Sequence, residues 1–482
     1  MVSTTALLIA GTVYGALLAF AAQRARRRTH TRADLFLASR RVGPWLTALG
    51  FVANAPNAWM LMSVGMAAFT WGLSAAWLWP AVLIGQAICW FYVAPRLAER
   101  SATQDSLTLI GTLSAEVGEG SRVLVARSAI LIAALALLIQ IGAQSLAVAQ
   151  LFGELELSGT MLVVTFAALV VVVVLGGYWA ISLLEAAQVL ILTVTLVLLA
   201  LYGLVALDGW AGMRDALVAA GPQANTWLGE RNGVVALAFV LGVFGIGLAM
   251  PGQPYAVLRF MGARGRQVLR SARWMSLGCS AVLVAATLSC GWSARALYAA
   301  ATQPDPSLLA FASSVLSPQV GAFVLAVAAG SLAVGVASPL LSATATVLLD
   351  GRNASQGPSL GWARFGLVVC AVVAAVCIVS APATLFERVL FAWSAMGAAF
   401  GPLLLVRLSG KRVRPGSTLG AMWAGFTLTL LFHLLPDAPG DFLERVLPFV
   451  TALGIALSGG ERRRNPDRAD RTQQTVHDRV PI

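Results

Sequence analysis

Apolar and polar positions divide this chain into long apolar runs separated by short polar gaps. The first run, Thr4 to Gln23, is followed by Arg24, Arg26, Arg27, Arg28 and Arg32. Crossing a hydrocarbon layer as a helix takes roughly 20 residues. Runs of that length follow at 42–67, 74–94, 123–152, 160–177, 186–206, 234–258, 275–297, 319–348, 363–381, 388–407, 417–435 and 440–458. With the first run they predict an all-α membrane protein of about 13 transmembrane helices. A secretory signal peptide carries its charges before the apolar stretch. Here they come after it, which predicts a retained helix with the N-terminus outside. An odd number of crossings then puts the C-terminus inside.

The gaps check that orientation through their charge. Gaps expected inside hold Arg96 and Arg100, Arg122, then Arg259, Arg264, Arg266, Arg270 and Arg273, and later Arg352 and Arg364, then Arg407, Lys411, Arg412 and Arg414. Gaps expected outside hold only Arg214 and Arg231, beside Asp208, Asp215 and Glu230. Basic residues concentrate in cytoplasmic loops, so counting runs and counting charges give one topology. The expected location is the cell (inner) membrane.

Composition narrows the class. Of 482 residues, 58% are hydrophobic and 11% charged, where soluble domains carry about 25% charged residues. That excludes a soluble enzyme, a disordered chain and a coiled coil. The net charge of +12 would suit nucleic acid only on a folded basic face, so no nucleic-acid partner is expected. Cys89, Cys279, Cys290, Cys370 and Cys377 fall within apolar runs and read as small buried hydrophobes. His30, His433 and His477 form no metal-ligand pattern, and no phosphate-binding loop, nucleophile or acid–base pair stands out. The expected partners are the lipid bilayer and a small-molecule solute, and the sequence names no protein partner. A non-enzyme without a resident cofactor follows.

Two apolar segments are interrupted. One carries Ala53-Asn54-Ala55-Pro56-Asn57-Ala58-Trp59, the other Gly245-Ile246-Gly247-Leu248-Ala249-Met250-Pro251-Gly252-Gln253-Pro254. Proline removes a backbone donor and glycine loosens the helix. At membrane depth such a break persists only where protein encloses it. Paired breaks in corresponding halves mark a transporter's binding region; a kink used only for packing is the alternative. The polar groups placed to line a pathway are Asn54, Asn57, Gln140, Gln144 and Gln253, with Trp59 as an aromatic wall. Helix–helix hydrogen bonding is the other use of such amides. Glu185 and Asp350 lie near helix ends and read as interfacial carboxylates satisfied by water or arginine.

Local strings identify a family. Gly252-Gln253-Pro254 running to Arg259-Phe260-Met261, Ala392-Trp393 running to Gly397-Ala398-Ala399-Phe400-Gly401-Pro402, Gly176-Gly177-Tyr178-Trp179-Ala180-Ile181-Ser182 with Glu185 and Gln188, and Ala38-Ser39-Arg40-Arg41-Val42-Gly43 resemble, in the same order, segments of the sodium:solute symporter family. The likeness is greatest to its bacterial sodium/proline members.

The resemblance implies a leucine-transporter-like fold of two five-helix inverted repeats with discontinuous helices. It also implies sodium-driven uptake of a small organic solute, a proline-like amino acid or a carboxylate, by alternating access. The chain would divide into a first helix and basic loop (1–41), repeat 1 (42–206), an external loop (207–233), repeat 2 (234–407), two further helices (408–458) and a polar cytoplasmic tail (459–482). Sodium would meet the backbone carbonyls of Ala53 and Pro56, since hard cations take oxygen ligands.

Several positions depart from the family. Its aspartate beside those carbonyls is Ala55, and its hydroxyl pair falls on Val334 and Gly335, neither of which can coordinate a cation. Its tyrosine on the fourth helix aligns with Gln140, and its tryptophan and tyrosine before Gly-Gln-Pro align with Ile246 and Met250. Ser331, Ser338 and Ser342 are nearby hydroxyls on different helical faces. Na+ is therefore the implied coupling ion, with doubtful coupling. Two alternatives remain: a non-transporting solute sensor of the same fold, and a sodium-independent facilitator.

Overall fold

The structure, a computed structural model, describes residues 4–54, 59–219, 221–298, 316–350, 357–380, 389–435 and 439–462. Helices account for nearly all of it. They are α1 (Thr4–Arg26), α2 (Arg32–Leu37), α3 (Pro44–Asn54), α4 (Gly65–Trp71), α5 (Leu78–Ala87), α6 (Ala94–Thr103), α7 (Leu109–Ser114), α8 (Glu119–Glu154), α9 (Gly159–Ala206) and α10 (Gly209–Ala219). They continue as α11 (Gly233–Leu248), α12 (Pro254–Gly262), α13 (Gly265–Tyr298), α14 (Pro318–Gly335), α15 (Ala337–Leu349), α16 (Leu360–Ser380), α17 (Val389–Leu408), α18 (Pro415–His433), α19 (Phe442–Arg445) and α20 (Leu447–Ser458). Among the described residues nine helical stretches are long and apolar enough to cross a membrane. The chain is a multi-pass membrane protein.

One of the nine needs dividing. Gly159–Ala206 has 48 residues, about 72 Å of helix at 1.5 Å per residue, more than twice a hydrocarbon core. It bends at Gly177, whose φ of 50° and ψ of −138° are not helical. A Cβ there would lie 2.3 Å from the Leu35 carbonyl oxygen, so only glycine fits. The two limbs match the runs expected at 160–177 and 186–206.

Burial separates core from periphery. In α17 and α14–α15 the apolar windows are 89% and 83% buried, against 11% in α1 and 22% in α16. Lipid offers no hydrophobic drive for helix association, so close packing must supply it. Small residues do this. A Cβ on Gly85 of α5 would sit 2.5 Å from the Gly247 carbonyl of α11, and one on Gly247 would sit 2.2 Å from the Ala81 carbonyl.

The second interrupted segment is described throughout, the first only on either side of its break. α3 ends at Asn54; Ala55, Pro56, Asn57 and Ala58 lie outside the described residues, and the chain resumes at Trp59 in wide, π-type turns that lead into α4. α11 ends at Leu248, a tight turn covers Met250–Gly252, Gln253 is extended (φ −86°, ψ 107°), and α12 begins at Pro254. The start of α3 and the end of α12 are joined directly. Val42 N donates to Gly262 O at 3.1 Å and Arg264 N to Val42 O at 3.0 Å. Arg40 reinforces this junction, reaching Ser101, Ser106 and the Met261 carbonyl.

Three expectations change. The segment 207–233, read as a loop, contains α10. The tail expected from 459 begins with an ordered strand, Gly460–Arg462, paired antiparallel with Lys411–Val413; residues 463–482 lie outside the described residues. Arg259 and Arg407, read as loop arginines, are each 1% exposed. Both heads are held by protein groups, and hydropathy alone does not distinguish such an arginine from an interfacial one.

Replacing Gly247 by Val should prevent α11 from seating on α5. We expect a loss of thermal stability at least as large as the roughly 1–3 kcal/mol of an overpacked core. Gly278→Val, where a Cβ meets nothing within 4 Å, should leave the melting temperature unchanged. Fluorescence-detected melting of both variants checks this.

Candidate functional site

The fold brings α3, α9, α12 and α15 together around one buried ion pair. Arg259 Nη2 lies 2.5 Å from Glu185 Oε2, with both side chains at most 2% exposed. Side chains from α3, α9 and α15 engage both carboxylate oxygens and both terminal guanidinium nitrogens, while Arg259 Nε has no hydrogen-bond partner. Asn54 Nδ2 donates to Glu185 Oε2 at 3.0 Å and to Gly50 O at 2.6 Å. Ser338 Oγ donates to Glu185 Oε1 at 2.7 Å and accepts from Arg259 Nη2. Arg259 Nη1 donates to Ser182 Oγ at 2.9 Å, and the guanidinium stacks over the Tyr178 ring at 4.7 Å. Below it Phe51, Trp90 and Phe260 form a cluster with centroids 4.8–5.3 Å apart.

A small cavity of about 10 Å³ adjoins this pair. Ala53, Glu185, Gln188, Ser331, Val334 and Gly335 line it. Ala53 thus lines the same cavity as Val334 and Gly335, on which the family's hydroxyl pair would fall. Pro56, the other expected carbonyl, lies outside the described residues. Val334 and Gly335 bring no side-chain oxygen, while Ser331 does.

The remaining expected residues separate. Asn54 belongs to the ion pair. Gln253 is fully buried and donates to Ala249 O at 3.0 Å and Trp393 O at 2.8 Å. It ties the break after α11 to α17, where Trp393 Nε1 returns a bond to Ile246 O at 2.9 Å. Gln140 and Gln144 occupy one face of α8, which packs on α14, α15 and α17. Gln140 Oε1 has no hydrogen-bond partner, and neither does any side-chain polar atom of Gln144. Buried amides left unpaired are costly. Asn57 lies outside the described residues, as does the side chain of Trp59. The sequence reading undervalued Glu185 and missed Arg259, Ser182 and Gln86, whose buried amide is unpaired too. A charge beside apolar residues within a string from a broken helix was the available signal.

Asp350, expected at an interface, is 7% exposed at the end of α15. Thr108 Oγ1 donates to its Oδ1, while Oδ2 has no partner. Burial pushes its carboxyl up to about 7, partly offset by hydrogen bonds from Thr108, the Gly111 backbone and Thr346.

A helix interrupted beside an enclosed polar centre, as at Met250–Gly252, is a feature of secondary transporters. The profile described as "Sodium:solute symporter family" matches residues 35–427, and the chain belongs to that family. It is 25% identical over 443 residues to a sodium/proline symporter of Staphylococcus aureus, covering 87% of this chain and 84% of that one. It is 26% identical over 443 residues to the osmoregulated proline transporter OpuE of Bacillus subtilis (strain 168), covering 88% and 89%. Its fold resembles that of a Na+-coupled sialic acid symporter in a substrate-bound outward-open state, with a TM-score of 0.77, 14% identity, and 96% and 100% of the two chains covered. A nucleobase-cation-symport-1 family transporter in a closed conformation shares the fold at a TM-score of 0.51 and 17% identity, with 88% and 92% covered.

Removing one charge from the central pair should be severe. Glu185→Gln leaves a buried guanidinium unpaired, at a cost of about 3–5 kcal/mol, and Arg259→Gln leaves the carboxylate. The double variant should recover most of the loss in thermal unfolding; additive losses would contradict the pairing. For Asp350 the native carboxyl titrates above its ordinary 3.8, so the folded state holds a proton that the unfolded chain releases. Stability should therefore fall as pH rises from about 4 to about 7 and level off above. Asp350→Asn should flatten that slope in melting curves.

Proposed function

We propose that this protein is a secondary active transporter that takes up a small organic solute, a proline-like amino acid or a carboxylate, by alternating access. It acts as a carrier and not as an enzyme. The observation that carries this reading is the pair of buried amides Gln140 and Gln144 on α8, which retain unpaired polar atoms, together with Gln253 bridging the second break to α17. The names of the proline-transporting relatives support the substrate class. In this reading the solute's charged ends meet the amides of Gln140 and Gln144 and the backbone opened at the breaks, with Asn57 and Trp59 beside the first. The repeats 42–206 and 234–407 rock around it. Thirteen crossings, with the N-terminus outside and the C-terminus inside, complete the arrangement.

Family membership suggests Na+ as the coupling ion. The donor set here argues for weak coupling. The cavity beside Ala53 offers one hydroxyl, Ser331, because Val334 and Gly335 supply none. Both carboxylate oxygens of Glu185 are already engaged by Arg259, Asn54 and Ser338. That observation favours, as a second reading, a facilitator that works without sodium.

Uptake of radiolabelled proline in proteoliposomes, with and without an inward sodium gradient, tests the proposal. We expect saturable uptake that depends on sodium only weakly, with Gln144→Ala lowering it about tenfold, the equivalent of one lost hydrogen bond near 1.4 kcal/mol. Val334→Ser with Gly335→Thr should raise sodium dependence. No accumulation or exchange across amino acids and carboxylates would overturn the transport reading.

A further inference from the structure

The basic end of α1 adjoins a hollow. The membrane-crossing part of this helix ends at Arg26, and Gln23, Arg24, Arg26, Arg27 and Arg28 are all exposed there. Arg28 lies over the Trp179 ring at 4.8 Å. Among the described residues no carboxylate pairs with Arg24, Arg26 or Arg27. The tendency of arginine to collect at one membrane boundary accounts for these charges. It does not account for the space beside them.

That space is a groove of about 960 Å³ between α1 and Leu175, at the end of the first limb of α9. Ala19, Phe20 and Ala22 form its apolar wall, and Gln23, Arg26 and Arg27 its polar rim. Ala19, Ala22 and Arg26 share one face of α1 at i, i+3 and i+7 spacing, so the apolar wall runs straight down to a guanidinium. Across Phe20 lies a second hollow of about 330 Å³, walled by Leu17, Ala21, Trp45, Leu49 and other residues that are all apolar. Phe20 and Trp45 are 58% and 63% exposed.

We propose that this groove seats an anionic phospholipid, with its phosphate between Arg26 and Arg27 and its acyl chains on either side of Phe20. The two parts of the groove select this class together. A guanidinium fork matches phosphate oxygens, and basic pockets at the ends of membrane helices suit anionic headgroups. A zwitterionic lipid brings its own ammonium beside the arginines and so gains less from them. A soluble anion would pair with the arginines but leave Ala19, Ala22 and Phe20 unused. Seated there, the lipid touches both α1, whose apolar window is only 11% buried, and the bend of α9. It therefore fastens a peripheral helix to the core.

Photolabelling of the full-length protein in nanodiscs tests this, using a phosphatidylglycerol with a diazirine in its acyl chain and peptide mapping by mass spectrometry. We expect label on residues 17–27, competed about tenfold better by phosphatidylglycerol than by phosphatidylcholine of the same chains, the order expected of two arginines near a headgroup. Arg26→Gln with Arg27→Gln should bring that preference to parity, with an unchanged melting temperature in pure phosphatidylcholine. Arg264→Gln with Arg270→Gln removes the same charge from another exposed site and should leave the preference intact. Ala19→Trp keeps every arginine but fills the groove, and should abolish the label. Inorganic phosphate should compete no better than chloride at equal ionic strength. Parity between the two lipids in the unmodified protein, an equal loss of preference in the Arg264 and Arg270 variant, full labelling of Ala19→Trp, or displacement by inorganic phosphate would each overturn the proposal.

Discussion

The ion pair between Arg259 and Glu185 is the constraint on which the centre of this molecule depends. An arginine and a glutamate buried among membrane helices persist only if each supplies what the other has lost in leaving water. Here each does, and the hydroxyls of Ser182 and Ser338 and the amide of Asn54 add further hydrogen bonds to it. The consequence is architectural. α3 has 11 residues and α12 has nine, both below the roughly 12–15 at which an isolated helix is even marginal in water. They hold their places because the pair, the aromatic cluster of Phe51, Trp90 and Phe260, and the Val42–Ala263 bridge fasten them to one another and to α9.

Around that fixed centre, packing is governed by backbone approach rather than by apolar area. Lipid chains solvate leucine as well as protein does, so helices gain by coming close. α17 shows this most plainly. Gly397 meets Ala249 at the second break, and Ala398 meets Gly425 of α18. The break after α11 is thus stabilised from outside its own helix, by the small residues of α17 and by Gln253 bonding to Trp393 O. An interruption held in this way can be a hinge or a binding surface without being loose.

Most of the helices were legible because the bilayer imposes one demand, apolar length, that hydropathy measures directly. The runs at 319–348 and 363–381 reappear as α14–α15 and α16 nearly residue for residue. The same measure fails wherever polarity is compensated internally. Arg259 looks like a loop residue by composition, since nothing within α12 announces the carboxylate contributed by α9. Glu185 looks interfacial for the matching reason. α10 escaped because it is amphipathic and short, and the Lys411–Val413 strand because its partner lies near the far end of the chain. Of the expected site, Ala53, Val334 and Gly335 do converge, whereas Gln253 and Asn54 turn out to be engaged in bonds between helices. Those bonds are long-range, so no local pattern could assign them.

The arrangement bears on coupling in the transporter proposed above. An ion drives transport only through its different affinity for two conformations. A guanidinium bound covalently to α12 compensates Glu185 whatever the concentration of salt outside, and it cannot dissociate to the other side. Among the described residues, Ala53 and Ser331 line the cavity beside Glu185 without bonding to Arg259. In that reading the pair gives α9 and α12 a rigidity that depends on no dissolved ion.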